Sequence, residues 1–293
     1  MTDPLFIGVD GGATRTRARL RDARGNMLGE GSAGASNARL KEPAFAEVLK
    51  ACREAAAEAG LDEADLGRVH AGLGLAGTQQ AWDRDFILAQ PHPFASVVVD
   101  TDAYAAYLGA CGDRDGAILI VGTGFAGLAV VNGERINVSG WGADIADEGS
   151  GMMIGRNAIR RSLWALEGMA PMTPLAEEVL ARFDNQAQNA VEWASQATPG
   201  DYGTFSPAVF AHAENRDALA VPILEEAARD VTRAVARLLE VGAPKVAMIG
   251  GVFPEILPWL APPYRAVCVE PESDAADGAI LMAKQAFTRQ ERE

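Results

Sequence analysis

Short apolar runs separated by turns dominate the start of the chain. Residues 5–9 form a continuous apolar run with β-branched members, which predicts a buried strand. Residues 10–14 follow it as a turn, and residues 17–21 then alternate polar and apolar side chains, as in a half-buried strand. A turn at 24–26 leads into an extended segment at 27–30, so the pattern predicts a hairpin.

Helical and strand-like patterns alternate over the next part of the chain. Apolar side chains recur at three- and four-residue spacing over 43–59, which predicts a helix. Strands are predicted at 69–75 and 95–99, and a helix at 78–90 lies between them with Thr78 as its N-cap. This alternation of strands and helices indicates an α/β fold.

The opening pattern recurs in the middle of the chain. An apolar strand at 117–121 is followed by a glycine turn at 122–124, a strand at 128–131, an Asn-Gly turn at 132–133 and a returning strand at 135–138. The recurrence is one of element order rather than of residue identity. It predicts two lobes with related β cores and a ligand bound between them.

Beyond residue 150 the sequence predicts mostly helix. Predicted helices lie at 150–168, 174–198, 215–242 and 275–290, and predicted strands lie at 245–249 and 265–269. A turn is expected at 198–200, and two glycines at 250–251 close the first of these late strands.

Charge and cysteine content narrow the classes of protein to consider. The chain has 293 residues, with 26 basic against 40 acidic side chains and a formal net charge of −14, which argues against nucleic-acid and membrane-surface partners. Three widely spaced cysteines, Cys52, Cys111 and Cys268, suit a reducing compartment rather than a disulfide framework. Because the N-terminus lacks a basic and apolar leader, we expect a soluble, cytoplasmic protein.

Two glycine-rich turns are candidates for phosphate binding. Gly11 and Gly12 follow the first strand directly, so backbone N–H groups there can approach an anion closely, and Thr14 adds a hydroxyl. Asp10 beside such amides makes chemical sense if a divalent cation intervenes, whereas the alternative is a tight hairpin without a ligand. The turn at 122–124 occupies the matching point of the repeat, which favours phosphate binding.

Other known phosphate motifs do not fit these turns. The sequence contains no GxxxxGK[ST], so a P-loop enzyme is not expected. The segment at 72–77 matches GxGxxG only superficially, because no acidic ribose ligand follows at the spacing that a dinucleotide site needs. The arginines between Arg15 and Arg24 are interpreted as a solvated strand face.

Acidic and aromatic side chains near predicted strand ends are further candidates. Asp102 follows the strand at 95–99, where an α/β protein can hold a general base. Spacing alone instead favours a helix N-cap formed by Asp100, Thr101 or Asp102. Trp141 lies between glycines and offers a flat face on which a sugar ring can pack. Acidic residues nearby can accept hydrogen bonds from the hydroxyls of the sugar. The alternative is a core tryptophan beside a helix N-terminus that acidic residues stabilise.

Seven segments occur in an order that is more specific than any one of them. They are DGGATRTRARLRD, GASN, GLGLAG, VVVDTDAYAAYLGA, ILIVGTG, SGWGADIADEGSG and MIGGVF. The set resembles the BadF-type branch of the sugar kinase–actin superfamily, and within it the bacterial glucosamine kinases, followed by the N-acetylglucosamine kinases. The resemblance implies an α/β, two-lobed actin-like ATPase fold with duplicated RNase H-like topology. The lobes would be residues 1–108, joined by the helix at 275–293, and residues 109–274.

The resemblance also implies roles for individual residues. The phosphates of ATP and a Mg²⁺ ion would lie at Asp10, Gly11, Gly12 and Thr14, with Asp10 holding the metal directly or through water. A second phosphate loop would be Gly122, Thr123 and Gly124, and the adenosine would meet Gly250 and Gly251. The amino sugar would be held by Asn37, Asp102, Gly140, Trp141, Gly142 and Asp147. Asp102 matches the general base for the 6-hydroxyl of the sugar, which reverses the preference for a capping role.

Three positions depart from the family pattern. Ala13 stands where a third glycine is usual, and Ala146 replaces a common glycine before the acidic segment. Phe125 follows the second loop where a small or hydroxyl residue is expected. Its ring either alters phosphate contacts or packs in the core, and the sequence leaves both open.

The resemblance therefore implies an ATP- and Mg²⁺-dependent kinase that forms glucosamine 6-phosphate, with N-acetylglucosamine as the alternative substrate. A homodimer is common in that family. A more remote alternative is the ATPase activator of a radical dehydratase, which holds an iron–sulfur cluster through cysteines. None of the three cysteines here lies in a glycine-rich setting of that kind. A non-catalytic sugar sensor is the last alternative.

Overall fold

The computed structural model describes residues 3–12 and 14–292. Its internal contacts divide the chain into two compact units, Met1–Arg114 with Pro271–Glu293, and Asp115–Glu270. The lobe boundaries expected from the resemblance, at 108/109 and 274/275, fall inside one helix and directly before another. The position of these lobe boundaries remains a prediction.

Strands and helices follow one another along the described chain. The strands are β1 (Leu5–Gly11), β2 (Thr16–Asp22), β3 (Met27–Ala33), β4 (Val69–Leu75), β5 (Ser96–Thr101), β6 (Gly116–Val121), β7 (Phe125–Val131), β8 (Glu134–Ser139), β9 (Val246–Ile249) and β10 (Cys268–Val269). The helices are α1 (Glu42–Glu58), α2 (Ala81–Leu88), α3 (Asp102–Cys111), α4 (Gly151–Leu166), α5 (Pro174–Ala181), α6 (Ala187–Ala194), α7 (Pro199–Gly203), α8 (Ser206–Glu214), α9 (Ala220–Glu240), α10 (Phe253–Ile256), α11 (Pro262–Arg265) and α12 (Ala275–Gln290).

The first unit is built on a sheet with the order β3-β2-β1-β4-β5. Strand β1 pairs antiparallel with β2 and parallel with β4, and β4 pairs parallel with β5. The carboxyl ends of β1, β4 and β5 therefore meet at one edge of the sheet, where α/β folds commonly bind ligands. In register, Asp10 lies opposite Gly74, and Gly74 lies opposite Asp100.

Helix α12 belongs to the first unit because its backbone packs directly on the backbone of the sheet. A Cβ added at Gly8 of β1 would lie 2.0 Å from the carbonyl oxygen of Ala276. One added at Gly72 of β4 would lie 1.9 Å from the carbonyl oxygen of Ala279. Only glycine permits so close an approach. The sequence predicts the helix at 275–290, and the structure adds the two glycines that receive it.

The second unit repeats the strand order of the first, as β8-β7-β6-β9-β10. Its central strand β6 pairs antiparallel with β7 and parallel with β9. Between β7 and β8, Asn132 and Gly133 both have positive φ, at 51° and 80°, as in the predicted hairpin turn. Helices α4 and α9 share a core with this sheet, in which Ile154 and Val231 are buried. The fold class is thus confirmed as α/β with a duplicated sheet of RNase H-like topology.

The prediction that Thr78 is a helix N-cap is wrong. Its hydroxyl donates to the carbonyl oxygens of Leu75 at 2.6 Å and Asp100 at 3.1 Å, so it joins the ends of β4 and β5. Helix α2 begins only at Ala81. A hydroxyl near a strand end thus satisfies strand carbonyls here rather than helix N–H groups.

Two other predicted elements are shorter or divided. The helix predicted over 174–198 is split into α5 and α6, because Asp184 and Asn185 adopt positive φ values of 53° and 55° between them. The strand predicted over 265–269 is reduced to β10, since the preceding prolines form the short helix α11. Among the described helices, none combines the length and the apolar character that crossing a membrane would need.

Candidate active site

The first candidate loop follows β1 and is held by backbone hydrogen bonds. The N–H of Gly12 donates to the carbonyl oxygen of Arg15 at 3.0 Å, and the carbonyl oxygen of Gly12 accepts from the N–H of Ser36 at 3.0 Å. A Cβ added at Gly11 would lie 2.3 Å from the Ser36 hydroxyl oxygen, so a larger residue here would displace the Ser36 side chain. Backbone hydrogen bonds thus tie Gly12 to Arg15 and to Ser36.

Asp10 lies at the carboxyl end of β1, directly opposite Arg17 of β2. Arg17 Nη2 donates to Asp10 Oδ2 at 2.6 Å, and the aspartate side chain remains 24% exposed. Thr14 is exposed on the same loop, whereas the departure at Ala13 lies outside the described residues. The arginine was not expected there, because the arginines of this strand are interpreted from the sequence as solvated. The pairing follows from the register between β1 and β2, which was not predicted from the sequence.

Asp102 begins α3 at the same edge of the sheet, but it is not the N-cap of that helix. The N-cap is Thr101, whose hydroxyl accepts from the N–H of Tyr104 at 3.1 Å. Burial raises the pKa of the Asp102 carboxyl; a hydrogen bond from the N–H of Ala103 opposes that shift, and the negative charge of Asp10 adds to it. A carboxylate with a raised pKa is a stronger base, which is the property that a general base requires.

Asn37 lies in a segment that hydrogen bonds join to the loops after β1 and β4. The N–H of Ala38 donates to the carbonyl oxygen of Ala76, and the N–H of Ala76 donates to that of Gly11, both at 2.8 Å. The side-chain oxygen of Asn37 accepts from the N–H of Arg39 at 3.0 Å. Asn37 is half-buried, so its amide is presented from a segment whose backbone is fixed.

The second candidate loop, Gly122 to Gly124, lies against the N-terminus of α4. The N–H of Gly122 donates to the carbonyl oxygen of Gly124 at 3.1 Å. The carbonyl oxygens of Gly122 and Thr123 accept from the first N–H groups of α4, those of Gly151 at 2.8 Å and Met152 at 3.3 Å. A helix N-terminus favours anions in its vicinity, which suits the predicted phosphate role.

Gly250 and Gly251 lie beside this second loop within the same unit. Gly250 has a φ of +110°, and a Cβ added there would lie 2.5 Å from the carbonyl oxygen of Val121 and 3.0 Å from the nitrogen of Gly122. A Cβ added at Gly251 would meet no heavy atom within 4 Å. The structure therefore brings together the two segments of the second unit that were predicted to bind the nucleotide. Gly250 is closely packed, whereas the space beside Gly251 is open.

Asp147 joins the second loop to the segment that carries Trp141. It is 7% exposed and has a positive φ of 72°. Burial raises its pKa, while hydrogen bonds from the backbone N–H groups of Phe125 and Gly142 oppose that shift. A Cβ added at Gly124 would lie 3.1 Å from Asp147 Oδ2. Its carboxylate is thus directed at backbone N–H groups of both segments.

Trp141 is 72% exposed, which excludes the alternative of a core tryptophan. It stands between Gly140 and Gly142, whose φ values of 82° and 95° turn the backbone sharply on both sides. The N–H of Ala146 donates to the carbonyl oxygen of Gly142 at 2.9 Å and closes this turn. By contrast, the ring of Phe125 is 4% exposed and belongs to the core of the second unit, so it packs.

The carboxylates of the first unit can be tested for their fit to Mg²⁺. Asp10 raises the pKa of Asp102, so the two negative charges act on each other, and a cation would relieve that repulsion. In the described part of the chain, no group of three or more His, Cys, Asp or Glu side chains could hold a metal. Mg²⁺ is commonly bound by one or two carboxylates together with phosphates of a substrate. These residues fit a cation that arrives with a nucleotide.

The cysteines do not resemble ligands of an iron–sulfur cluster. Cys52 is fully buried on α1, and burial raises the pKa of its thiol to about 12. Burial also raises the pKa of the Cys268 thiol, to about 11. Cluster ligands are thiolates, so thiols with raised pKa values are poorly suited to that role.

Comparisons with known proteins agree on one family. The sequence profile of the BadF/BadG/BcrA/BcrD ATPase family matches residues 7–283. Glucosamine kinase GspK of Vibrio cholerae is 39% identical over 279 residues, which are 95% of this chain and 95% of that protein. N-acetyl-D-glucosamine kinase of Dictyostelium discoideum is 27% identical over 248 residues, or 78% of this chain and 77% of that one. A solved structure from Chromobacterium violaceum, named as a candidate N-acetylglucosamine kinase, has a TM-score of 0.87 at 33% identity and covers 97% of this chain and 100% of its own.

Proposed function

The chain belongs to the BadF/BadG/BcrA/BcrD ATPase family, and we propose that it is a glucosamine kinase. It transfers the γ-phosphoryl group of ATP to the 6-hydroxyl of glucosamine and releases ADP and glucosamine 6-phosphate. The substrate class is supported by the 39% identity to glucosamine kinase GspK over 95% of both chains. The chemistry is supported chiefly by the environment of Asp102.

Asp102 acts as the general base in this proposal. Thr101 caps α3, so the Asp102 carboxylate is not required for that purpose. Its raised pKa makes it a better acceptor for the proton of an attacking hydroxyl. Phosphoryl transfer needs little covalent assistance, so correct placement of the hydroxyl and removal of its proton account for much of the catalysis.

The phosphates of ATP are bound by backbone amides and hydroxyls of the two glycine loops. The first unit contributes Gly11, Gly12 and Thr14, and the second contributes Gly122, Thr123 and Gly124. Gly250 and Gly251 contact the adenosine, with the open space at Gly251 as the supporting observation. Asp10 would hold Mg²⁺, directly or through water. When bound, Mg²⁺ supplies positive charge that neutralises the transferred phosphoryl group.

The amino sugar is held by Asn37, by Asp102 and by the segment from Gly140 to Asp147. The exposed face of Trp141, with its flanking Gly140 and Gly142, packs against the sugar ring. The oxygen of the Asn37 amide is engaged by Arg39, so its NH₂ group is the one that donates to a sugar hydroxyl. Asp147 belongs to the sugar site in this proposal, and because it is almost fully buried and accepts from the N–H of Gly142, it also holds the turn that carries Trp141.

The first test is sugar-dependent release of ADP in the presence of ATP and Mg²⁺. Glucosamine, N-acetylglucosamine, glucose and a reaction without sugar are compared, and phosphorus NMR locates the phosphate on the product. The proposal requires strong turnover on glucosamine with the phosphate on C6. ADP release that is independent of every sugar would support the activator ATPase instead, and iron analysis would follow. No ADP release with any sugar would favour a sugar sensor.

N-acetylglucosamine is the second candidate substrate. Two relatives named as N-acetylglucosamine kinases, one of them a structure at 33% identity, support it. The ratio of kcat/KM values for the two sugars decides between them, because a site that fits a charged amine rejects the larger neutral amide.

Two further expectations are kept as predictions. Light scattering coupled to size-exclusion chromatography tests whether the chain forms a homodimer. Cell fractionation tests the cytoplasmic location.

A further inference from the structure

Three arginines of β2 lie at alternating positions and so share one side of the first sheet. Two of them are tied to the N-terminal end of α12. Arg19 donates to both carboxylate oxygens of Asp274, at 2.8 and 3.0 Å, and Arg21 donates to Asp277 at 2.7 Å. These two arginines hold the helix to the sheet.

Arg17 is tied differently from its neighbours. Its Nη2 donates to Asp10 Oδ2 at 2.6 Å, while its Nη1 lies 3.8 Å from Asp274 Oδ2. Asp274 is in turn the N-cap of α12. One guanidinium therefore reaches both the carboxylate at the phosphate loop and the acidic end of the C-terminal helix.

We propose that Arg17 is a positioning residue for Asp10 and, through Asp10, for the divalent cation that accompanies ATP. The inference rests on the proposed function, because it takes Asp10 as the residue nearest the metal. Arg17 engages Oδ2, so Oδ1 is the oxygen left for the cation. A planar guanidinium with several N–H groups can serve two carboxylates at once, whereas a lysine ammonium is a single point charge.

Positioning and plain electrostatics make opposite predictions for the loss of Arg17. Removing a positive charge near a cation site strengthens cation binding if charge alone matters. Removing a residue that orients a metal-binding carboxylate weakens cation binding, typically by roughly 10- to 100-fold. A purely structural residue would lower the stability of the fold and leave nucleotide binding unchanged. The sign of the change therefore distinguishes the three roles.

The experiment compares wild type with Arg17→Gln, Arg17→Lys and the matched control Arg21→Gln. Arg21 lies on the same strand face and also pairs with α12, but its hydrogen-bond partners are Asp277 and the carbonyl oxygen of Gly25 rather than Asp10. Calorimetry measures ATP binding with a chelator and with saturating Mg²⁺, and the gain in affinity that Mg²⁺ causes is the readout. The Mg²⁺ concentration for half-maximal sugar phosphorylation is a second readout.

For Arg17→Gln we expect the Mg²⁺-dependent gain to fall roughly 10- to 100-fold. Arg17→Lys should recover part of the gain, and Arg21→Gln should keep all of it. An unchanged or larger gain in Arg17→Gln would overturn the inference. Thermal denaturation checks that each variant is folded. If Arg17→Gln does not fold, Arg17→Lys is measured in the same way: a gain below that of wild type supports the inference, and an unchanged or larger gain overturns it.

The two proposals fail in distinguishable ways. If wild-type protein phosphorylates glucosamine but binds ATP no better with Mg²⁺ than without it, only this inference fails. If the gain is present and depends on Arg17 but no sugar is phosphorylated, only the sugar kinase proposal fails.

Discussion

The two sheets share one strand order, but the loops that follow their central strands carry different chemistry. After β1, the loop begins with Asp10, a carboxylate that is partly exposed and paired with an arginine. After β6, the corresponding loop is uncharged, and the nearest carboxylate, Asp147, is buried and bonded to backbone N–H groups. The shared topology fixes where a ligand loop lies, whereas side chains brought from elsewhere decide whether the loop presents charge or backbone amides.

The comparison predicts different failures in the two units. Substitution of carboxylates in the first unit should abolish chemistry while the fold survives. Substitution of the buried carboxylate in the second unit should loosen the fold and the loops together.

The largest effect is expected for Asp102→Asn. Loss of a general base should lower kcat by about 10²- to 10⁴-fold, with sugar binding changed little, because the amide keeps the shape of the side chain. Steady-state kinetics and sugar binding by calorimetry check both halves of this expectation. Asp100→Asn is the matched control on the same strand end, and it should retain most of the turnover. Unchanged turnover in Asp102→Asn would remove Asp102 from the mechanism.

The pH dependence of the wild type should reveal the same residue. Asp102 must be deprotonated to act as a base, so kcat/KM should fall as pH drops through its pKa, roughly tenfold per unit below it. Burial places that pKa above the ordinary aspartate value. A pH–rate profile checks this, and an acid limb that persists unaltered in the residual activity of Asp102→Asn would assign it to another group.

The same shift has a consequence for stability with a definite sign. The folded-state pKa of Asp102 is above its unfolded value, so the folded state holds the proton more tightly. The corresponding stabilisation is complete below the unfolded pKa and is lost as pH rises through the folded one. Asp102→Asn should therefore unfold at a higher urea concentration than wild type at neutral pH.

In the second unit, Asp147→Ala should act on stability first. It leaves two backbone N–H groups, those of Phe125 and Gly142, without their acceptor. Phe125 is buried whereas Gly142 is exposed, and one buried donor left unpaired costs about 1–3 kcal/mol, so the free energy of unfolding should fall by about that amount. Urea denaturation measures it, and Asp147→Asn, which keeps one acceptor oxygen, is the control that should lose less. A variant as stable as wild type would show that the carboxylate does not hold these loops.

The smallest expected difference is in stability, between alanine substitutions at two glycines of the proposed nucleotide site, Gly250 and Gly12. Gly250→Ala places a Cβ 2.5 Å from the Val121 carbonyl oxygen at a φ of +110°, so it should lower the unfolding free energy by roughly 1–3 kcal/mol. Gly12→Ala places its Cβ 3.5 Å from the Arg15 carbonyl oxygen, an ordinary contact, and should change stability by less than ~0.5 kcal/mol. An ATP titration of folded Gly12→Ala then shows whether phosphate approaches that position. Equal destabilisation of the two variants would contradict this contrast.

Much of the fold follows from local pattern. The strand at 69–75 and the helix at 275–290 match β4 and α12 to the residue, because β4 is a compact apolar run and α12 a 16-residue amphipathic helix. The wrong prediction at Thr78 has a non-local cause. Thr78 looks like an N-cap until the carbonyl oxygens of two separate strands are known to lie beside it.

In the candidate site, too, some features could be predicted from local sequence and others depend on the folded structure. Asp102 and the glycine loops are visible in sequence because they directly follow apolar runs. That Thr101 and not Asp102 caps α3 depends on the direction of two side chains. The pairing of Arg17 with Asp10 depends on strand register, which the alternating pattern of β2 does not specify by itself.

The packing of α12 on Gly8 and Gly72 has a consequence for how the protein is made. The second unit is continuous in sequence, whereas the first is completed by residues 271–293, which leave the ribosome after all of it. Strands β1 and β4 are synthesised early but receive their covering helix late. This face of the sheet therefore stays without its covering helix until α12 has been synthesised, and an exposed sheet face of a partly folded chain is a site for aggregation.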